Sequence, residues 1–223
     1  MSACINCIET TISLVESRYQ PYYQDLVNLK ANHSMLHIDA ISLIHELAFK
    51  GTGAIIEIGT YVGGSTIAIA LGIQKQKNHR KFIAIEAGGQ FEHETLPSDD
   101  VLSDLLNNLK KYGVLDYVDV INGNSRDKST IQRLDQLLLP KSVSLLVADA
   151  DGEVEKELTT KGHLLADNCV LVIDDYMSPN NYAKVKKTQE DIGKLEKAGF
   201  LKCFGIYGWG TWVGKLVRNI NKQ

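Results

Sequence analysis

Short apolar segments alternate with amphipathic ones over most of the chain. Apolar runs of six to eight residues, rich in β-branched side chains, predict five strands, at positions 54–59, 82–87, 117–122, 143–150 and 169–175. Between and after them, apolar residues at helical spacing predict helices at 65–74, 98–112, 129–138, 153–166 and 181–198. Strands that alternate with helices form βαβ units. The pattern therefore predicts a mostly parallel sheet with helices on both faces.

The two ends of the chain depart from this alternation. Helices are predicted at 8–19, ending before Pro21, and at 34–51, where Ser34 would be the N-cap. Positions 200–217 contain two strand-like halves with no helix between them, which predicts an antiparallel hairpin. We therefore predict an α/β fold: a Rossmann-like, mostly parallel seven-stranded sheet with N-terminal helices and a C-terminal antiparallel hairpin.

Length and charge narrow the possible functions. The 223 residues suit one domain, which we divide into an N-terminal helical cap (1–51) and a cofactor-binding α/β core (52–223). A net charge of −3 provides no basic face for nucleic acid, so we expect a small-molecule partner. With no apolar run near the ~20 residues of a membrane span and no signal-peptide pattern, a cytoplasmic location without membrane contact is expected. The sequence leaves the oligomeric state open, and a homodimer is one of the alternatives.

The four cysteines do not suggest chemistry. Cys4 and Cys7 form a CxxC pair, but it precedes a predicted helix and has no second pair, so inert thiols are expected. Cys169 and Cys203 lie in predicted strands, where we expect both in the core.

A glycine-rich turn follows the first predicted strand in GAIIEIGTYVGGST, residues 53–66. Its glycines match neither the dinucleotide fingerprint nor the P-loop, and no lysine follows. Glu57 beside the turn argues further against a phosphate. The expected ligand is cationic or carries hydrogen-bond donors.

Acidic residues gather where the predicted strands end. They are Glu57, Glu86, Asp149, Asp151, Asp174 and Asp175. Ligands of open parallel sheets bind at this edge, and an acid ending the second strand accepts the hydroxyls of a ribose. Glu86 therefore indicates a nucleoside cofactor. Any one of these acids alone could be a helix N-cap or a solvated loop end.

Three of these acids form a candidate metal site. Asp149 ends the fourth strand, and Asp174 and Asp175 end the fifth. Three carboxylates at one point repel each other unless a cation is present, and hard oxygen ligands suit Mg²⁺, Mn²⁺ or Ca²⁺. The alternative is that Asp174 or Asp175 binds a substrate amine or caps the next helix.

The motifs EIGTYVGGS, IEAG, INGNSRD, VADADG and LLADNCVLVIDDY, in this order, resemble the class I S-adenosylmethionine-dependent methyltransferases. More specifically, they are similar to metal-dependent O-methyltransferases of the catechol, caffeoyl-CoA and macrocin types. The resemblance covers roughly positions 34–175. It implies S-adenosylmethionine and a divalent ion as cofactors, and a hydroxylated small molecule as substrate, such as a catechol, a sugar diol or another natural product.

The resemblance also assigns roles to individual residues. Cofactor-binding positions by this criterion are Glu57, Gly59, Tyr61, Gly63, Ser65, Glu86, Ser125, Arg126 and Asp149. Glu57 would support the loop around the methionine part, Glu86 would hold the ribose and Ser125 would reach the adenine. The metal ligands would be Asp149, Asp174 and Asp175.

One position departs from the resemblance. Relatives commonly carry Lys or His three residues after the first metal aspartate, where it can accept the substrate proton, and this chain has Gly152. The catalytic base is therefore unassigned, with Asp151, Glu153 and Lys156 as candidates, and we expect a bound metal to acidify the hydroxyl instead. His37 and His45 lie where relatives contact cofactor and substrate, but a core or surface role is expected for each.

Two other functions stay open at this point. One is a metal-free N- or carboxyl-methyltransferase, in which the aspartates would bind an amine. The other is a nucleoside-binding module without catalysis, which the missing base would suit. The segments expected to select the substrate are the N-terminal helices, the loop 88–98 and an aromatic hairpin tip with Tyr207, Trp209 and Trp212.

Overall fold

The computed structural model describes residues 7–76, 80–177 and 183–218, and a seven-stranded sheet lies at its centre. The strands are β1 (Ala54–Ile58), β2 (Phe82–Glu86), β3 (Asp119–Asn122), β4 (Val143–Ala148), β5 (Leu165–Ile173), β6 (Leu201–Tyr207) and β7 (Thr211–Leu216). Their order across the sheet is β3-β2-β1-β4-β5-β7-β6. The first five are parallel, while β7 runs antiparallel to both β5 and β6. The predicted fold is confirmed, including the terminal hairpin.

Eight α-helices accompany the sheet in the described part of the chain. They are α1 (Cys7–Ser17), α2 (Tyr23–His33), α3 (Ile38–Lys50), α4 (Gly64–Gln76), α5 (Val101–Lys111), α6 (Lys128–Leu137), α7 (Val154–Lys161) and α8 (Ala183–Lys197). A short 3₁₀ helix, Leu115–Tyr117, precedes β3. None of the described helices has the length and apolar character needed to cross a membrane.

The N-terminal helices differ from the prediction in two respects. Helix α2 was not predicted, because only Leu26 and Leu29 of this polar segment are buried and its periodicity is weak. Ser34 ends α2 rather than capping α3. The N-cap of α3 is His37, whose Nδ1 accepts the backbone N–H of Asp39 at 3.1 Å, so an imidazole takes the place of the expected hydroxyl.

Two further expectations were wrong. The helix predicted at 153–166 ends at Lys161, and β5 already begins at Leu165, so Leu165 starts a strand rather than finishing a helix. Cys169 is buried as expected, but Cys203 is exposed because β6 lies at the edge of the sheet. Cys7 is a free, exposed thiol, and Cys4 lies outside the described residues.

The core has two layers, one on each face of the sheet. Residues from α2 to α5 pack on one face and residues from α6 to α8 on the other. Because side chains alternate along a strand, Ile55 of β1 faces the first layer and Ile56 the second. All five residues of β1 are buried, so the acidic side chain of Glu57 is enclosed with its apolar neighbours.

Candidate cofactor pocket and acidic centre

The main cavity opens at the carboxyl ends of β1, β2 and β4 and has a volume of about 350 Å³. This volume falls within the range of small-molecule sites in proteins. Its lining includes Gly59, Tyr61, Ser65, Glu86, Ser125 and Asp149, all predicted cofactor positions. The structure therefore brings most of the predicted cofactor residues together around one cavity.

The glycine turn after β1 needs its glycines for steric reasons. Gly59 has φ +78°, and a Cβ there would lie 2.2 Å from the backbone oxygen of Asp149. Gly63 has φ +98°, and its Cβ would lie 2.8 Å from Leu105 Cδ1. Only glycine combines this backbone conformation with such close neighbours. The turn leads directly into α4 at Gly64, so the N-terminus of that helix reaches the cavity.

Glu57 lies in β1 just before the turn and is fully buried. Neither carboxylate oxygen has a hydrogen bond of ordinary geometry among the described residues. Burial raises the pKa of Glu57 to about 7, although the nearby hydroxyls of Ser65 and Thr66 oppose part of that shift. Glu57 is not among the residues that line the cavity, so its influence on a ligand is indirect.

Glu86 holds the glycine turn with one oxygen and faces the cavity with its carboxylate. Its Oε2 accepts the backbone N–H groups of Thr60 and Tyr61, both at 2.9 Å, and the Thr60 hydroxyl at 3.1 Å. Its Oε1 accepts the N–H of Gly88 at 3.0 Å. A carboxylate oxygen has two lone pairs, so Oε1 has room for a ligand hydroxyl while Oε2 is already committed.

Ser125 and Arg126 belong to a network that the sequence analysis missed. The Ser125 hydroxyl donates to Glu157 Oε1 at 2.5 Å, and the same oxygen lies 3.3 Å from Arg126 Nη1. Lys161, with no exposed surface, donates to Glu157 Oε2 and, at 3.0 Å, to the Ser125 carbonyl. Glu157 and Lys161 are four residues apart on α7, and that spacing was the only signal available in the sequence.

Asp149, Asp174 and Asp175, here called the acidic centre, meet as the sequence predicted. One oxygen from each lies within 4.8 Å of the others. The juxtaposition follows from the parallel pairing of β4 and β5, in which Ala148 is opposite Ile173. Burial, with the nearby Asp149 carboxylate, raises the pKa of Asp174 to about 7, while Thr211 donates to Asp174 Oδ1 at 2.5 Å.

A lysine from α8 enters the acidic centre, which the sequence analysis did not anticipate. Lys184 Nζ lies 2.8 Å from Asp149 Oδ1 and 2.6 Å from Asp175 Oδ2. Burial opposes its charge, but the two carboxylates outweigh it and raise the pKa of Lys184 above its ordinary value. Nothing in the local sequence distinguishes Lys184 from the neighbouring lysines of a solvated helix face, because its role depends on where α8 packs.

The donor set of the acidic centre fits a hard divalent cation. Three converging carboxylates supply the oxygen ligands that Mg²⁺, Mn²⁺ and Ca²⁺ prefer. One ammonium group does not balance three carboxylates, although burial favours the neutral form of Asp174 and raises its pKa. A metal ion entering this centre would meet Lys184, which already contacts two of the three acids.

The candidate bases are held in other interactions. Asp151 forms a two-point ion pair with Arg126, whose guanidinium lowers the pKa of that carboxyl. Glu153 pairs with Lys156 at 2.9 Å, and Lys156 is largely exposed and absent from the lining of the cavity. Because α7 begins at Val154, Gly152 precedes the helix and does not share a helix face with Lys156.

The expected aromatic hairpin tip is only partly present. Trp209 is exposed, meets the His37 ring edge-on at 5.1 Å and lies under Lys30 Nζ at 5.1 Å. Trp212 instead lies in β7 and is 1% exposed, so it belongs to the core and not to the tip. In the loop 88–98, Phe91 packs on Tyr61 with ring centroids 5.1 Å apart, beside the cavity.

Together, the sheet order and the cavity at its carboxyl edge define an α/β protein with a cavity of small-molecule size. Residues 56–176 match the model of a family described as a methyltransferase domain, and the chain belongs to this family. This finding confirms the methyltransferase resemblance seen in the motifs. The comparison with curated proteins gave no match.

Solved structures of the same fold cover almost the whole chain. TomG, an O-methyltransferase from Streptomyces achromogenes involved in tomaymycin synthesis and solved with SAM, has a TM-score of 0.61 and 16% identity, covering 93% of this chain and 96% of its own. An O-methyltransferase from Bacillus cereus in complex with SAH has a TM-score of 0.60 and 16% identity, covering 94% of this chain and 100% of its own. A cofactor-bound protein from MTB has a TM-score of 0.62 and 18% identity, covering 94% and 90%. At these identities the likeness establishes the fold.

Proposed function

We propose that the protein is an S-adenosylmethionine-dependent O-methyltransferase acting on a small molecule with two neighbouring oxygens, with a divalent ion at the acidic centre. The observation that carries the proposal is the position of Asp149. Its backbone oxygen packs against Gly59 of the glycine turn, and its carboxylate belongs to the acidic centre. A methyl donor on the turn and an acceptor at the acids would therefore be adjacent.

The cavity residues fit the two ends of the cofactor. S-adenosylmethionine carries an electrophilic methyl group on a sulfonium, and the turn would bring backbone groups close to its methionine part. Glu86 Oε1 would accept a ribose hydroxyl. Ser125, held by Glu157, would lie at the adenine end together with Arg126.

The acidic centre would hold the metal through Asp149, Asp174 and Asp175. A divalent ion at such a centre acts as a Lewis acid toward ligand oxygens and neutralises developing negative charge. The chain's own contribution is to position the three carboxylates: Thr211 holds Asp174, and Lys184 pairs with the other two when no metal is bound. Holding both reactants in alignment accounts for much of the rate gain in such transfers.

Asp151, Glu153 and Lys156 receive structural roles in this proposal. Asp151 forms an ion pair with Arg126, and Lys156 pairs with Glu153 outside the cavity. Solvent would then accept the substrate proton. The whole chain would act as one methyltransferase domain, with α1 to α3 as a cap, and the fold shared with TomG supports a natural-product substrate.

The test combines binding with turnover. Calorimetry should detect S-adenosylmethionine and its demethylated product binding to the protein. A panel of catechols and sugar diols should then be methylated with Mg²⁺ or Mn²⁺, and excess chelator should stop the reaction. Turnover that persists in chelator would favour the metal-free alternative, and cofactor binding without turnover on any acceptor would favour a nucleoside-binding module.

A further inference from the structure

Lys184 reaches the acidic centre because α8 packs directly on Gly152. A Cβ at Gly152 would lie 2.8 Å from the Lys184 backbone oxygen and 2.9 Å from Thr188 Oγ1. Gly152 also has φ +80°, a conformation that favours glycine. The glycine found where relatives commonly carry Lys or His thus leaves space for the first turn of α8, and that turn supplies a lysine from another direction.

The ammonium group of Lys184 contacts two of the three carboxylates that a metal ion would need. Its Nζ is 2.8 Å from Asp149 and 2.6 Å from Asp175, distances typical of charge-assisted hydrogen bonds. Lys184 also lines the main cavity and the smaller pocket beside Gly152. An ion bound to all three aspartates and an ammonium group bound to two of them would compete for the same carboxylates.

We propose that Lys184 is a built-in counter-cation of the acidic centre, which a divalent ion must displace from Asp149 and Asp175 in order to bind. The inference rests on the proposed function, because it assumes that the acidic centre can take a metal. Without metal, Lys184 keeps the carboxylates paired and the site intact. Its displacement opposes metal binding, so the protein binds divalent ions more weakly than three aspartates alone would.

Metal binding to purified protein tests this proposal directly. Mn²⁺ affinity is measured from the electron paramagnetic resonance of free Mn²⁺ in the wild type and in Lys184→Met, Lys184→Gln and Lys184→Arg. Removing the ammonium group should tighten Mn²⁺ binding at least tenfold in the Met and Gln variants. The Arg variant keeps a cation beside the acids and should bind Mn²⁺ much as the wild type does.

Lys187→Met is the matched control. Lys187 lies three residues further along α8 and pairs with Asp191 at 2.6 Å, so its removal also deletes an ammonium group from the same helix. Its Mn²⁺ affinity should equal that of the wild type. Equal or weaker Mn²⁺ binding by folded Lys184→Met or Lys184→Gln would overturn the proposal, as would a gain of the same size in Lys187→Met.

A second measurement uses the wild type alone and applies even if the Lys184 variants do not fold. Acetic anhydride labelling, read by mass spectrometry, should modify Lys184 several times faster with saturating Mn²⁺ than without it, while Lys187 labelling stays constant. Unchanged labelling of Lys184 in the Mn²⁺-loaded protein would overturn the proposal.

The experiments distinguish failure of the counter-cation proposal from failure of the proposed function. If neither the wild type nor the Lys184 variants bind Mn²⁺, the competition does not exist, and cofactor calorimetry with turnover in chelator still decides whether the protein is a methyltransferase. If the wild type binds no Mn²⁺ but Lys184→Met does, the counter-cation proposal holds while metal-dependent catalysis by the wild type fails.

Discussion

The Lys184 backbone oxygen lies 2.8 Å from the point that a Cβ on Gly152 would occupy. This contact joins the loop after β4 to the first turn of α8, two elements that each bring charged groups to the acidic centre. Any side chain at Gly152 must therefore push α8 away from the sheet. Gly152 is therefore required for the packing of α8 at the site.

The first prediction is that Gly152→Ala is much more destabilising than a matched substitution elsewhere. Gly113 has a similar positive φ of +68°, but a Cβ there meets nothing within 4 Å. Gly113→Ala should cost about 1–2 kcal/mol from backbone strain alone. Gly152→Ala should cost at least about 1 kcal/mol more, because overpacking adds to that strain. Urea unfolding of both variants measures the difference, and equal losses would contradict the packing described here.

The second prediction concerns Glu86. Glu86→Ala should weaken S-adenosylmethionine binding at least tenfold, since a hydrogen bond to a charged group contributes about 1.5–3 kcal/mol. It should also lower the melting temperature, because Oε2 no longer holds Thr60 and Tyr61. Calorimetry and thermal unfolding measure the two effects. Glu92→Ala, in the exposed part of the loop 88–98, is the control, and unchanged affinity in folded Glu86→Ala would remove Glu86 from the cofactor site.

The third prediction is a pH-dependent stability difference at Glu57. Because burial raises its pKa to about 7, the native state holds a proton that the unfolded state releases near pH 4.5. The stabilisation is complete below pH 4.5 and is lost as the pH rises through 7. Glu57→Gln does not ionise, so its stability relative to the wild type should increase from pH 5 to pH 8, by up to about 3 kcal/mol.

Denaturant unfolding of the wild type and Glu57→Gln at pH 5, 6, 7 and 8 measures this difference. Glu92→Gln should give a nearly constant difference over the same range, since Glu92 is exposed. A flat difference for Glu57→Gln would mean that Glu57 is ionised with a normal pKa, and that an unseen partner satisfies it.

The fourth prediction addresses the buried ion pair of α7. Glu157→Ala should destabilise the protein by about 3–5 kcal/mol, because it leaves the fully buried Lys161 without its carboxylate. The double variant Glu157→Ala/Lys161→Met should recover a large part of that loss, since an apolar side chain replaces the buried charge. Unfolding free energies of the single and double variants measure the coupling. Additive losses would show that the two side chains act independently.

The fold was predictable because its signals are local. The apolar run of β1, the glycines after it and the alternation with helices depend on near neighbours in the sequence, as does the hairpin around Gly208. Helix α2 was missed because its stability comes from burying Leu26 and Leu29 under α3, a tertiary effect. The Ser34 cap was misplaced because a hydroxyl suits a turn as well as a helix start, and here it accepts the Leu36 N–H at 3.1 Å.

The site was predictable as far as strand ends determine it. The meeting of Asp149 with Asp174 and Asp175 follows from parallel strands in neighbouring positions. The contact of Lys184 with the acids was not predictable. Lys184 belongs to α8, and the distance of α8 from the acidic centre depends on its packing against Gly152. In the sequence, Gly152 indicates only that a base is missing. In the structure, its lack of a side chain leaves the space that α8 occupies.

The pairing of β1 also determines how long one edge of this strand lacks a partner during translation. Ile55 pairs with Phe82 on one side and with Leu145 on the other, partners that lie 27 and 90 residues further along the chain (82 − 55 and 145 − 55). At roughly 5–20 residues per second, a ribosome takes about 5–18 s to make the 90 residues between β1 and its second partner. During that interval the nascent chain carries an apolar strand with one unpaired edge, which is a template for aggregation. A chaperone that shields this edge would therefore increase the yield of folded protein, although the finished molecule no longer exposes it.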